Sequence, residues 1–275
     1  MLSLEARRTI CEDTIQRSSA IAASTPSGSL SSVFIASQLP ALAKSLPGYP
    51  NAVLQTPIQV HDSDSFALAR KLTNSNSSSS SSVGVLNLAS DREPGGGWRY
   101  ALSCTQEEAL CYSSTLYATL NPAWYPWPNT GPGSCAGIVS PGVVVFRDTL
   151  DADVVELAEH ERFVVVVMTV AAPCSPALSE DGEDFADEAE LEDLREKVRL
   201  VLRMAAGQGV TRLVLGAMGC GAYRCPPRAV AREMKQVLED DEFTGWFEIV
   251  TFAIYAGGAV GKRNLHVFRE VFGEA

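Results

Sequence analysis

The 275-residue sequence predicts an α/β protein built as a three-layer α/β/α sandwich, and three observations carry that expectation. Apolar runs rich in valine alternate with segments of helical periodicity. Several of the runs are apolar at nearly every position, as in strands covered on both faces. With 46% hydrophobic residues, the chain is also long enough to bury a full core, in one large domain with a helical extension.

Leu4 to Ala22 reads as a helix, followed by the connector "STPSGSLSS" and a weakly patterned stretch ending in "LPGYPN". Residues 1–50 are therefore expected as an N-terminal helical extension packed on a core formed by residues 51–275. In "TPIQVHDSDSFALARKL" the pattern gives a short strand, a turn through Asp62 and Ser63 able to cap a helix, and a helix from about Asp64 to Leu72. The tract Ser75 to Ser82 is too polar and uniform to pack, and is expected as a mobile surface loop.

Strands are expected at Val83 to Ala89, Gly142 to Asp148, Phe163 to Val170, Thr211 to Met218 and Phe247 to Tyr255. Helices fit Gln106 to Leu120, Asp187 to Ala206, Pro227 to Leu238 and Lys262 to Phe272. The acidic run "SEDGEDFADEAELEDLREK" leads into a helix whose apolar positions recur at Leu191, Leu194, Val198 and Val201/Leu202. Its carboxylates read as a solvated face and a favourable charge at a helix N-terminus, ahead of a metal or partner site.

Charge and cysteine usage exclude several classes. A balance of 22 basic against 33 acidic residues, net −11, argues against binding DNA through a basic face, so an anionic ligand must be held locally. Seven cysteines without a CxxC pair, and His61, His160 and His266 far apart, argue against a zinc site or disulfide framework and for a reducing compartment. The N-terminus reads as neither a signal nor a transit peptide, and no apolar run approaches the ~20 residues needed to cross a bilayer. A soluble intracellular protein, cytoplasmic and/or nuclear, is expected, with no metal, no cofactor and no membrane partner.

Two glycine-rich segments each follow a strand and precede a helix, where open α/β sheets bind ligands. These are "NLASDREPGGGW" and "LGAMGCGAYRCPP". The second has GxxGxG spacing, unlike the GxGxxG of dinucleotide folds, and either loop can offer a row of N–H donors to a phosphate or diphosphate. The plain alternative is a pair of tight turns. Thr105 to Glu108 forms a capping box, which by itself accounts for one glutamate at a helix start. Glu107 and Glu108 lie about 100° apart around that helix, so one box does not use both. In a glycine-lined, partly dry cleft a carboxylate is expected to have a raised pKa, the condition for a general acid near neutral pH.

Gly95, Gly96 and Gly97, then eight residues, then Gln106-Glu107-Glu108, resemble the GGG-x(6–8)-QEE signature of poly(ADP-ribose) glycohydrolases. The flanking "NLAS…PGGGW…QEEALCYSSTLY" and the later "LGAMGCGAY" are similar to the microbial branch of that family, over roughly Thr56 to Phe272. The resemblance implies a macrodomain-like fold with a mixed central sheet, ADP-ribose as the recognised unit, and hydrolysis of the ribose–ribose O-glycosidic bond. It implies Glu108 as general acid and then base, with Glu107 holding ribose hydroxyls, through an oxocarbenium-like transition state. Asn87 would orient the terminal ribose, Gly95 to Gly97 would let the backbone approach the substrate, Gly219, Cys220 and Gly221 would form the diphosphate loop, and Gln106 and Ala222 would also bind ADP-ribose. Tyr223 falls where bacterial members usually carry Phe, an aromatic that packs on the ribose, and the following "RCPP" departs from the bacterial pattern. Expected partners are poly(ADP-ribose), ADP-ribose and poly(ADP-ribosyl)ated proteins, met by a monomer.

Two other readings stand beside this one. A macrodomain can hold ADP-ribose without cleaving it, or the glycines can be turns and Thr105 to Glu108 only a cap. Trp98 is open between stacking on substrate and filling the core, while Trp124 and Trp127 are expected to pack within their own Pro-rich loop.

Overall fold

A computed structural model describes residues 2–74 and 82–273 of the chain. Its centre is a seven-stranded mixed sheet of order β1-β4-β5-β3-β6-β7-β2, comprising β1 (Val33–Ile35), β2 (Gln59–His61), β3 (Ser82–Leu88), β4 (Gly137–Val145), β5 (Phe163–Val170), β6 (Val210–Leu215) and β7 (Ile249–Ala253). β5, β3, β6, β7 and β2 run parallel, and β4 runs antiparallel to both β1 and β5. The helices are α1 (Leu4–Ser24), α2 (Ser65–Asn74), α3 (Gln106–Ser113), α4 (Glu188–Gly207), α5 (Pro227–Leu238) and α6 (Ala259–Phe272).

Each sheet face is covered, which gives the expected three layers. Leu194 and Val198 of α4, Val230 and Met234 of α5 and Phe268 of α6 belong to one buried cluster with Val166, Leu213 and Phe252 of the sheet. Phe66 of α2, Leu110 and Tyr112 of α3 and Cys11 of α1 belong to the other, with Val85, Val143 and Val165. The acidic run behaves as an amphipathic helix should: Leu191, Leu194, Val198, Val201 and Leu202 are buried, and Asp187 caps α4 by accepting the Ala189 N–H at 2.8 Å.

Four boundaries differ from the sequence expectation, each for a local reason. The stretch 1–50 holds β1 as well as α1, and β1 hydrogen-bonds to β4 as an edge strand, so it is more than a helical extension. β4 starts at Gly137, ahead of Pro141, because the register shifts between Ser140 and Val143 and so accommodates a residue with no N–H. α3 stops at Ser113 instead of running to Leu120: the hydroxyls of Ser113 and Ser114 donate back to the carbonyls of Ala109 and Leu110, and a short 3-10 turn, Leu116–Thr119, follows. The cap of α2 is Asp64, whose carboxylate accepts the N–H groups of Phe66 at 2.7 Å and Ala67 at 3.0 Å, while Asp62 instead accepts the Ala256 N–H. The serine tract expected as a loop lies, apart from Ser82, outside the described residues.

Among the described residues no helix is long and apolar enough to cross a membrane. All seven cysteines are unpaired.

Candidate active site

β3 ends at Leu88, and the loop that follows turns back over the first turn of α3. Gln106 fixes that approach. Its Oε1 accepts the Leu88 N–H at 2.9 Å, and its Nε2 donates to the Leu86 carbonyl at 2.8 Å and to Ser65 Oγ at 3.1 Å. Both ends of the amide are engaged with the protein, so Gln106 splices α3 to the end of β3 and is a positioning residue. Gln106 also borders the cleft at the carboxyl end of β3.

The two glutamates after it are almost wholly buried, Glu107 at 3% and Glu108 at 5% exposure. Glu107 accepts from Asn87 Nδ2 at 3.1 Å and from the Ser90 N–H at 2.7 Å. Burial pushes its pKa up to about 8. Hydrogen bonds from Ser90 and Asn87 pull it down, and the neighbouring Glu108 charge pushes it up. Glu108 Oε2 accepts the Thr105 N–H at 2.9 Å and the Thr105 hydroxyl, the N3-to-N-cap half of a capping box, while Oε1 accepts the Gly97 N–H at 2.8 Å. One carboxylate thus serves both the cap and the glycine loop, and Oε1 keeps a lone pair for another donor.

The glycine triplet forms the roof of this pair. Gly95 and Gly96 have φ of +69° and +54°, and a Cβ on Gly96 would stand 2.9 Å from Glu108 Oε1 and 3.1 Å from Glu107 Oε2. A Cβ on Gly95 would meet the Tyr117 ring at 3.0 Å, and one on Gly97 would meet Ser103 Oγ at 2.4 Å. These glycines are required by the protein's own carboxylates and rings, a nearer cause than approach of a substrate.

Asn87, at 0% exposure, also donates to Thr169 Oγ1 at 3.2 Å, and its Oδ1 has no partner among the described residues. The second glycine loop stands beyond β6. Gly219 has φ +75°, Cys220 turns its side chain into the core, and Gly221 and Ala222 are exposed. The N–H groups of Gly221, Ala222 and Tyr223 have no acceptor among the described residues, which leaves a row of donors in front of α5. Burial raises the Cys220 thiol well above its ordinary pKa, so it is inert, and its carbonyl accepts Asn264 Nδ2 of α6 at 3.1 Å.

A cleft of about 370 Å³ runs from Thr105 and Gln106 past Leu88 and Gly221 to Tyr255, Gly261 and Asn264. It lies at the carboxyl ends of β3, β6 and β7, where this sheet class binds ligands. Glu107 and Glu108 sit beside this cleft, under the glycine roof, and do not line it. A wider hollow of about 560 Å³ occupies the other end of the sheet, around Pro141, His160 and Phe163, away from the carboxylates.

Sequence reasoning missed several participants. Ser90 supplies Glu107 with a backbone donor. Asp91 and Asn129 are joined at 3.2 Å beneath the loops, and Lys197, 0% exposed, donates to the carbonyls of Asn129 and Ala171. The Tyr125 hydroxyl is buried without a partner among the described residues, near enough to feel the Glu107 charge. Trp98 is core: 0% exposed, with its ring 4.5 Å from that of Tyr117 and 5.9 Å from that of Tyr112. Trp124 and Trp127 pack on Phe34 of β1, and Trp127 also on Tyr125, so the Pro-rich loop uses its aromatics internally and against that edge strand.

Fold and site together define a macrodomain-like protein with a carboxylate pair under one glycine loop and a row of free amides on the other. A family model, the microbial-type PARG catalytic domain, matches residues 12–148. The crystal structure of poly(ADP-ribose) glycohydrolase from Thermomonospora curvata aligns with a TM-score of 0.75 at 29% identity, covering 97% of this chain and 99% of that one. The same enzyme bound to the inhibitor ADP-HPD aligns with a TM-score of 0.73 over the same shares at 29% identity. The enzyme from Deinococcus radiodurans in complex with ADP-ribose aligns at 0.67 with 33% identity, covering 82% of this chain and 88% of that one. No curated protein sequence matches the chain. The chain belongs to the poly(ADP-ribose) glycohydrolase family.

Proposed function

We propose that the chain is a glycohydrolase that cuts the ribose–ribose O-glycosidic bond of poly(ADP-ribose) and releases ADP-ribose. The observation that carries this reading is the pair Glu107–Glu108, buried side by side under Gly96 next to a cleft bordered by unpaired amides. A module that only held an anionic ligand would gain nothing from two carboxylates there.

In this reading the diphosphate rests on the N–H groups of Gly221, Ala222 and Tyr223, and the cleft toward Tyr255 takes the adenosine end. The Asn87 Oδ1 accepts from a hydroxyl of the terminal ribose. Glu107, held by Asn87 and Ser90, fixes the same sugar. Glu108 gives its proton to the departing ribose oxygen, then takes one from the attacking water, as its Oε1 faces the loop that borders the sugar. The oxocarbenium-like charge that develops is favoured by the negative charge that the proton transfer leaves on Glu108.

A net charge of −11 opposes binding along the length of a polyanion, which favours capture of one terminal unit by loop amides and hence exo-type cleavage, by a monomer. Seven unpaired cysteines favour an intracellular site of action on poly(ADP-ribosyl)ated proteins.

Glu108→Gln tests the reading. It should abolish ADP-ribose release from automodified polymer, followed by mass spectrometry of the products, while calorimetric ADP-ribose affinity stays within a few-fold. Retained turnover removes Glu108 from the mechanism. Wild-type protein that binds ADP-ribose and releases none from polymer is a reader.

A further inference from the structure

The two glycine loops are joined by a side-chain bridge. Asp91, three residues past the end of β3 and 6% exposed, accepts the Tyr223 hydroxyl at 2.5 Å through Oδ1 and returns its own N–H to that hydroxyl oxygen at 3.2 Å. Asn129 donates to the same Oδ1 at 3.2 Å and to the Ala172 carbonyl at 2.8 Å, and accepts the Cys174 N–H at 2.6 Å. Behind it Lys197 reaches from α4 to the carbonyls of Asn129 at 2.6 Å and Ala171 at 3.0 Å.

The charges explain why such a bridge can exist beneath an anion-binding loop. A buried carboxylate facing a bound diphosphate would repel it, and an isolated buried ammonium would be equally unfavourable. Asp193 and Asp91 draw on the Lys197 ammonium and offset part of the cost of burying it. The backbone of Asp91 is also held by the Trp127 N–H on its carbonyl at 3.1 Å, so the residue has little freedom to drift.

We propose that the Tyr223–Asp91 pair is a latch that sets the spacing between the amide row of the second loop and the carboxylate pair under the first. Asp91 follows Ser90, whose N–H holds Glu107, so the latch ties the amide row to a point one residue from that contact. The Tyr223 ring is half-buried against both core clusters, and its hydroxyl is a positioning group. A phenylalanine at this position, as usual in bacterial members, makes neither bond. With the latch closed, the amide row and the carboxylates are spaced for one ADP-ribose unit before the ligand arrives, so less binding energy is spent on ordering the loop.

The proposal rests on the glycohydrolase reading for its kinetic consequence but not for its structural one, and Tyr223→Phe reads both. In the free chain, hydrogen exchange at the Asp91 amide should accelerate about tenfold or more, since its acceptor is gone. On polymer, kcat/KM should fall about tenfold, carried by KM. Adding Tyr223→Phe to Asp91→Ala should cost little beyond Asp91→Ala alone, because the two residues act as one unit. Unchanged Asp91 exchange, or losses that simply add, would overturn the latch. Faster exchange in a protein whose wild type releases no ADP-ribose would sustain the latch and defeat the glycohydrolase reading instead.

Discussion

Gly96 lies so close over Glu108 that a single methyl group between them would stand 2.9 Å from the carboxylate oxygen. The backbone there also has φ +54°, which an alanine adopts at a cost of roughly 1 kcal/mol. Gly96→Ala should therefore lower the melting temperature by a few degrees and displace Glu108 by several tenths of an ångström. Displacement of a reacting group on that scale costs on the order of 30- to 100-fold in kcat/KM. Initial rates of ADP-ribose release, beside a thermal melt, check both parts, and an unaltered rate would separate the glycine roof from catalysis.

Gly221 offers the opposite case. A Cβ there meets no protein atom within 4 Å, and the residue is exposed in front of α5. Gly221→Ala should leave urea stability within about 0.5 kcal/mol of wild type. If the diphosphate rests on this backbone, the added methyl collides with ligand alone, and ADP-ribose affinity should fall about tenfold or more by calorimetry. Equal affinity would move the diphosphate off this loop.

The contrast shows what a linear sequence reveals. Val-rich runs such as Phe163–Val170 announce themselves because burial on both faces leaves Thr169 as the one polar position, and Pro227–Leu238 is bounded by a proline and a clean apolar stripe. β1 has only Val33–Ile35 to announce it, too short for any periodicity, and it exists because β4 offers an open edge. The glutamates and glycines of the site were legible as a spaced motif. The task of Gln106 in joining α3 to β3 emerges only once Leu86, Leu88 and Ser65 are brought to its two amide ends. Tyr223 and Asp91 are 132 residues apart, and Lys197 sits in what reads as a solvated acidic run, so the fold alone discloses that network.

Glu107 gives the stability of the protein a signed dependence on pH. Its folded pKa is about 8 against an ordinary 4.5, so between these values the folded state holds a proton that the unfolded state has released. Its contribution should therefore fall as pH rises from about 4.5 to 8, by about 5 kcal/mol at most, and stay flat above. Glu107→Gln deletes that slope. The difference in unfolding free energy between variant and wild type, from urea titrations at intervals between pH 5 and 9, should grow in the variant's favour and level off near pH 8. A constant difference would mean that Glu107 is already ionised in the folded protein at pH 5.

Lys197 carries the opposite arm. Burial lowers its ammonium from 10.5 to about 8, against the pull of Asp193 and Asp91, so between pH 8 and 10.5 the unfolded chain binds a proton that the folded chain lacks. Its contribution should rise by about 3 kcal/mol across that window, after being fully unfavourable below pH 8. Buried cysteines and tyrosines titrate in the same range, so the informative quantity is the difference between wild type and Lys197→Met, a replacement of similar length that fills the same space. Whatever Lys197→Met does to stability at pH 7 through the carbonyls of Asn129 and Ala171, its stability relative to wild type should decline steadily from pH 8 to 10.5. A difference independent of pH over that span would show that Lys197 keeps its charge in the folded protein, and that the pull of Asp193 and Asp91 outweighs the cost of burial.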